Sequence, residues 1–190
     1  MKVRIIALAA LFSLGLFASS NAQDDRELIE LAPELQDRLL AEMRQLTYDL
    51  DELVAAFAEG DFDGVRKIAV LKLGFGHMRA LQMLEAGQPE DEVVATMEPF
   101  LAERLKMYEA GILGQGQGGQ QAGMFGGLGQ HLPENMRAMG QAMHASAVKL
   151  AMSAKQAGDN PTAGDYKAVL TDLQGMTAMC SGCHQAFRIR

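Results

Sequence analysis

Between Pro33 and Glu59 apolar side chains return at steps of four and three: Leu35, Leu39, Met43, Leu46, Leu50, Leu53 and Phe57. A stripe of this period predicts one long amphipathic helix. Pro33 opens it, since a fixed φ suits the first helical turn. Residues 24–31, "DDRELIEL", read as a backward extension of the helix across the proline. "EGD" at 59–61 is a stop, and Asp61 or Asp63 serves as the cap of a second helix over 63–86. Its buried side draws on Val65, Ile68, Leu71, Phe75, Met78 or Leu81, and Leu84, with Gly74 and Gly76 marking a bend. "GQPED" at 87–91 opens a further helical run to Gly111, interrupted by Pro99. The stretch 63–111 thus reads as one long arm broken near 87–89.

Periodicity then disappears. Residues 111–130, "GILGQGQGGQQAGMFGGLGQ", are dominated by Gly and Gln and read as a flexible crossover loop. A third main helix runs from Pro133 to Gly158, with Met136, Met139, Met143, Ala147, Leu150 and Ala151 facing inward. "DNPTAGD" is a turn, and a last helix over 164–188 carries Tyr166, Val169, Leu170, Leu173, Met176 and Met179. No strand pattern and no repeat appears. Four main helices around one core predict an all-α fold, an antiparallel four-helix bundle.

The N-terminus adds a destination. Lys2 and Arg4 precede an apolar run, Ile5–Phe17, and Ser20 and Ala22 place small residues at −3 and −1 of a cut before Gln23. This is the layout of a cleaved secretory signal over residues 1–22. The run is shorter than the roughly 20 residues that span a bilayer, and no later stretch is longer, so the mature chain is expected to be soluble and periplasmic. Without Lys2 and Arg4 the 17 basic residues fall to 15 against 24 acidic ones, a net charge of −9. An acidic chain with no basic cluster argues against nucleic acid and anionic membranes. It is compatible with docking to a basic redox partner.

The only two cysteines stand in "CSGCHQAFR", residues 180–188. On a helix Cys180, Cys183 and His184 fall within an arc of roughly 100°. A flat macrocycle on that side is held at two edges by thioether bonds while the imidazole reaches its iron, which is what covalent haem attachment demands of C-x-x-C-H. A thioredoxin-type pair belongs at a helix start after a strand. Zinc needs three or four ligands, whereas His77, His131 and His144 are scattered singly. A disulfide across three helical residues is strained and closes too small a loop to stabilise much. Phe187 and Arg188, three and four positions past His184, return to its side of the helix. Phe187 is placed to pack on the porphyrin edge or the core, and Arg188 to pair with a propionate or to serve the helix dipole.

An exported all-helical chain ending in "CSGCHQAFRIR" resembles the cytochrome c′ family, the class II c-type cytochromes, whose signature is C-x-x-C-H-x-x-[FY]-[RK] on the last helix of a four-helix bundle. The segment from "PENMRAMGQAMH" onward carries most of the likeness, while residues 87–130 match poorly. The resemblance implies one haem c per chain and a sixth iron position governed by the first helix. High-spin members block that position with an apolar side chain; low-spin members fill it with methionine. Met43, in "LLAEMRQLTYDL", is the candidate ligand, and Leu39, Leu40 or Leu46 the apolar alternative. Arg44 beside it is a second propionate candidate. His144 and His77 are weaker distal candidates, each expected to be half-exposed, and His131 a surface residue. Family likeness also implies a homodimer through the first and second helices.

Nothing else resembles catalytic machinery, so the chain is not expected to be an enzyme. The expected function is one-electron transfer in the periplasm; the alternative is a gas-binding haem protein, for NO or CO, with an open or displaceable distal site.

Overall fold

The computed structural model describes residues 24–113 and 128–189. The signal segment with its cut before Gln23, and residues 114–127 of the Gly/Gln stretch, lie outside the described residues. What is described is mostly helical: α1 (Pro33–Glu59), α2 (Phe62–Ile68), α3 (His77–Glu85), α4 (Glu90–Glu109), α5 (Glu134–Ala157) and α6 (Ala163–Ala186). None of these helices is long and apolar enough to cross a membrane.

The bounds of α1 coincide with its predicted stripe. It ends because Gly60 enters the left-handed region, at φ 76°, where its N–H and that of Asp61 close back onto the Phe57 and Ala56 carbonyls. A Cβ on Gly60 would also come within 3.0 Å of the Tyr166 hydroxyl, so glycine is required twice over. Of the two candidate caps, Asp61 performs the role: its carboxylate accepts from the Gly64 N–H at 2.8 Å. Asp63 pairs instead with Arg66 and Lys67.

The predicted bend in the second helix is a full break. After α2 the chain widens into a π-helical turn, Ala69–Leu73, whose apolar residues are all buried. Gly74 is then extended, and Gly76, at φ 77°, starts α3. A Cβ on Gly76 would stand 2.8 Å from the Phe100 ring, so the missing side chain lets α3 and α4 meet. Far from prolonging one arm, α4 is a separate helix whose Val93, Val94, Met97, Leu101 and Leu105 are core residues. Three acidic residues in its first turn oppose the positive end of its dipole.

The pair α5 and α6 is the most extensively packed, and Ser153 of α5 hydrogen-bonds Asp172 of α6 across it. A capping box between Thr162 and Asp165 opens α6. At the far end from the cysteines, Phe57, Phe62 and Tyr166 meet edge-to-face, with ring centroids 4.9–6.0 Å apart, and tie α1, α2 and α6 together.

Strands do occur, contrary to the sequence reading. Residues 24–31 do not extend α1; Glu27–Ile29 forms β1 and Phe187–Ile189 forms β2, paired in parallel with Glu27 opposite Phe187 and Ile29 opposite Ile189. The cause at the front is Ala32, held extended (φ −58°, ψ 145°) because a residue before proline is driven out of the helical region. The expected loop at 111–130 also has an ordered edge. Leu128–His131 is a 3-10 turn, and Leu128, 0% exposed, joins Ile29, Leu39, Leu132, Met136 and Phe187 in a small apolar cluster apart from the main core.

Candidate functional site

The last two turns of α6 carry the cysteines. Both thiols are free and half-buried, and they turn toward different parts of the interior. Cys180 lies against the main core, against which Met179, Leu46 and Leu50 also pack, its Sγ 3.6 Å from the Met176 carbonyl. Cys183 lies against the small cluster of Leu39 and Phe187, against which Met43, Leu35 and Met139 also pack. Burial raises both thiols above their ordinary pKa, and Cys180 adds to the rise at Cys183, so both are neutral S–H groups at pH 7. The pair therefore straddles the seam between the two clusters. Met43 and Leu46 bound the same seam from α1. In contrast to α5, α1 makes little direct backbone contact with α6.

His184 closes this arc at the rim. Its side chain is exposed and makes no hydrogen bond among the described residues, while its backbone carbonyl accepts from Arg26 Nη1 at 3.2 Å. The helical spacing proposed for Phe187 and Arg188 does not hold, because α6 ends at Ala186. Phe187 is extended (φ −125°, ψ 153°), and its N–H caps the helix on the Cys183 carbonyl. Its ring, 5% exposed, reaches the Met43–Cys183 cluster from β2 rather than from the helix. Arg188 is turned to the N-terminal segment: Nε donates to the Arg26 carbonyl at 3.3 Å and lies 3.7 Å from Asp24 Oδ2. Arg44 is exposed on α1 and makes no ion pair among the described residues. Cys180, Cys183, Met43 and Phe187 thus gather around one seam, with His184 at its edge and the two arginines outside it.

A second polar group lies inside the bundle: His77 is half-exposed as expected, whereas His144, expected the same, is enclosed. His144 is 1% exposed, and its Nδ1 lies 2.6 Å from the Leu73 carbonyl at the end of the π-helical turn. That carbonyl selects the tautomer with the proton on Nδ1. The ring stacks on His77 at 5.4 Å and lies 5.9 Å from Phe75. Burial, reinforced by His77, pushes His144 down to about 4, and burial lowers His77 as well. Asp49, 4% exposed on α1, accepts from Gln45 Nε2 at 2.9 Å; burial raises its pKa. His131, as expected, is exposed. The burial of His144 had one trace in the sequence: "MHASAV" surrounds it with small and apolar residues that let α5 be enclosed on several sides.

Comparison with family models, with curated proteins and with solved structures returns no match for this chain. The fit to a haem therefore has to be judged on the donors themselves. Among the described residues no three His, Cys, Asp or Glu side chains converge as metal ligands. What a haem c requires is present: two neutral thiols a turn apart beside apolar walls, an adjoining imidazole with no competing hydrogen bond, and a thioether on the facing helix. The residues fit the group.

Proposed function

We propose that this chain is an exported c-type cytochrome of the cytochrome c′ kind, carrying single electrons on one haem c. The observation that carries the reading is the seam: Cys180 and Cys183 border it from α6 beside His184, and Met43 borders it from α1. In this reading α1, the broken α2–α3 arm, α5 and α6 make the antiparallel four-helix bundle, and α4 is an addition laid on its side.

Cys180 and Cys183 would hold the porphyrin, each through a thioether formed by addition of S–H across a vinyl C=C, with no atom lost. When bound, the group supplies an iron that accepts and returns one electron. His184 would hold the iron through its imidazole and Met43 through its thioether, a soft neutral ligand that would raise the potential relative to two histidines. Leu39, Leu46, Leu50 and Phe187 exclude water from the seam, which keeps the ligand set rigid between oxidation states. Arg44 is the freer cation for a propionate, since Asp24 and the Arg26 carbonyl hold Arg188. The acidic surface favours a basic periplasmic redox partner. Exposed Tyr48 and Val54 on α1 and Met78 and Leu81 on α3 support the homodimer of this reading.

The deciding experiment is an absorption spectrum of the secreted protein, oxidised and reduced, with its intact mass. Covalent c-type bands, low-spin in both states, and a mass equal to mature polypeptide plus one whole haem are expected. A colourless protein with the bare polypeptide mass refutes the reading. Rapid, tight CO binding to the reduced protein would favour gas binding over electron transfer.

A further inference from the structure

We infer that Arg26 is a positioning residue for the haem-bearing end of α6, clamping the main chain of His184 from the N-terminal segment. The inference rests on the function proposed above. A helix leaves its last carbonyls without partners. In α6 the Cys183 carbonyl is taken by the Phe187 N–H, and the next one, that of His184, receives Arg26 Nη1 at 3.2 Å. The donor comes from 158 positions away, so nothing local to the C-x-x-C-H motif provides it.

The guanidinium is held in place for this contact. Asp24 takes its other two nitrogens in a fork, Nε to Oδ1 and Nη2 to Oδ2, both at 2.8 Å. The Arg26 carbonyl in turn receives Arg188 Nε at 3.3 Å, and β1 follows at once with its pairing to β2. Arg26 holds the Asp24 carboxyl down to about 2, so the fork persists across the working pH range. A cation on the last carbonyls of a helix also suits the negative end of its dipole. The consequence falls on the one residue whose ring must present a nitrogen in a set direction: fixing the His184 carbonyl fixes the last turn from which that imidazole projects.

The test uses the full-length, secreted, haem-loaded protein and its Arg26→Gln variant, with Asp24→Asn as a second variant that leaves the guanidinium but removes its holder. Two readouts are compared with the urea midpoint of the helical signal. Arg26→Gln should speed amide exchange at residues 187–189 about tenfold, the scale of one charged hydrogen bond. It should also raise by about one pH unit the acid midpoint at which the axial imidazole leaves the iron, the same factor expressed as proton competition. Asp24→Asn should move both in the same direction by less, and the urea midpoint should fall by no more than the loss of that one hydrogen bond. Unchanged exchange overturns the clamp. Faster exchange with an unmoved acid midpoint overturns the positioning role and leaves a purely structural one. Protein that emerges without haem refutes the proposed function instead, because the exchange readout needs no haem.

Discussion

Met43 of α1 and Cys183 of α6 border one apolar cluster, while Leu46, a turn further along α1, and Cys180, a turn back along α6, border the other. The two helices run in opposite directions, as the Phe57–Tyr166 contact at one end and the β1–β2 pairing at the other require. One step along each therefore moves the same way, and the four side chains form two matched pairs across a seam.

Replacing Met43 by Ala should convert the haem-loaded protein from low-spin to high-spin. The weak long-wavelength ferric band of a sulfur ligand should vanish, and CO should bind the reduced form faster. Loss of half-buried side-chain volume should cost about 1–2 kcal/mol in urea unfolding. A Met43→Ala protein that keeps its low-spin spectrum assigns the sixth position to another residue.

Leu39 is fully buried in the small cluster that joins β1, β2 and the 128–131 turn. Leu39→Ala should destabilise the protein by about 2–5 kcal/mol, the range for a buried leucine. Chemical denaturation of the variant checks this; a loss below about 1 kcal/mol would mean that the cluster collapses readily around the gap.

His144 makes stability fall in mild acid. Its folded pKa lies near 4, below the 6.5 of an ordinary histidine, so the unfolded chain binds a proton that the folded one refuses. Stability is therefore full above about pH 6.5 and declines as pH drops toward 4, by about 3 kcal/mol for the whole shift. His77, lowered in the same direction, adds to the slope. His144→Asn keeps an amide donor near the Nδ1 position for the Leu73 carbonyl and removes the titration. Its urea midpoint should depend less on pH across that window, and an unaltered pH profile would contradict the assignment.

Asp49 runs the other way. Burial raises its pKa, so its ionised form is disfavoured in the folded state, and its contribution worsens as pH rises through the carboxylate range. Asp49→Asn retains an oxygen for the Gln45 donor and should stabilise the protein at pH 7 by about 1 kcal/mol. The gain should shrink as pH falls through the carboxylate range and the wild-type carboxyl takes up its proton; thermal unfolding across that range measures it.

Long amphipathic segments were legible residue by residue. The α1 stripe, the stop at Gly60, the Asp61 cap and the turn before α6 all follow from local chemistry that a window of a few residues contains. Features made by distant partners were not. "ELI" and "FRI" carry no alternation of their own, and each becomes a strand only because the other lies beside it. The same holds for the π-helical turn, whose wide winding is tolerated because the Leu73 carbonyl finds His144. At the candidate site, the cysteines and His184 stood out from their spacing, and Met43 from the family resemblance together with its place on the α1 stripe. The direction of Phe187 and Arg188 did not, because it depends on where α6 stops.

Joining the first strand to the last has a kinetic consequence. Bringing together positions 158 residues apart costs about 4–5 kcal/mol in chain entropy if nothing else is yet formed. A few hydrogen bonds worth about 1 kcal/mol each cannot offset that alone. The ends can meet only once the helices have shortened the path between them, so the zipper closes late in folding.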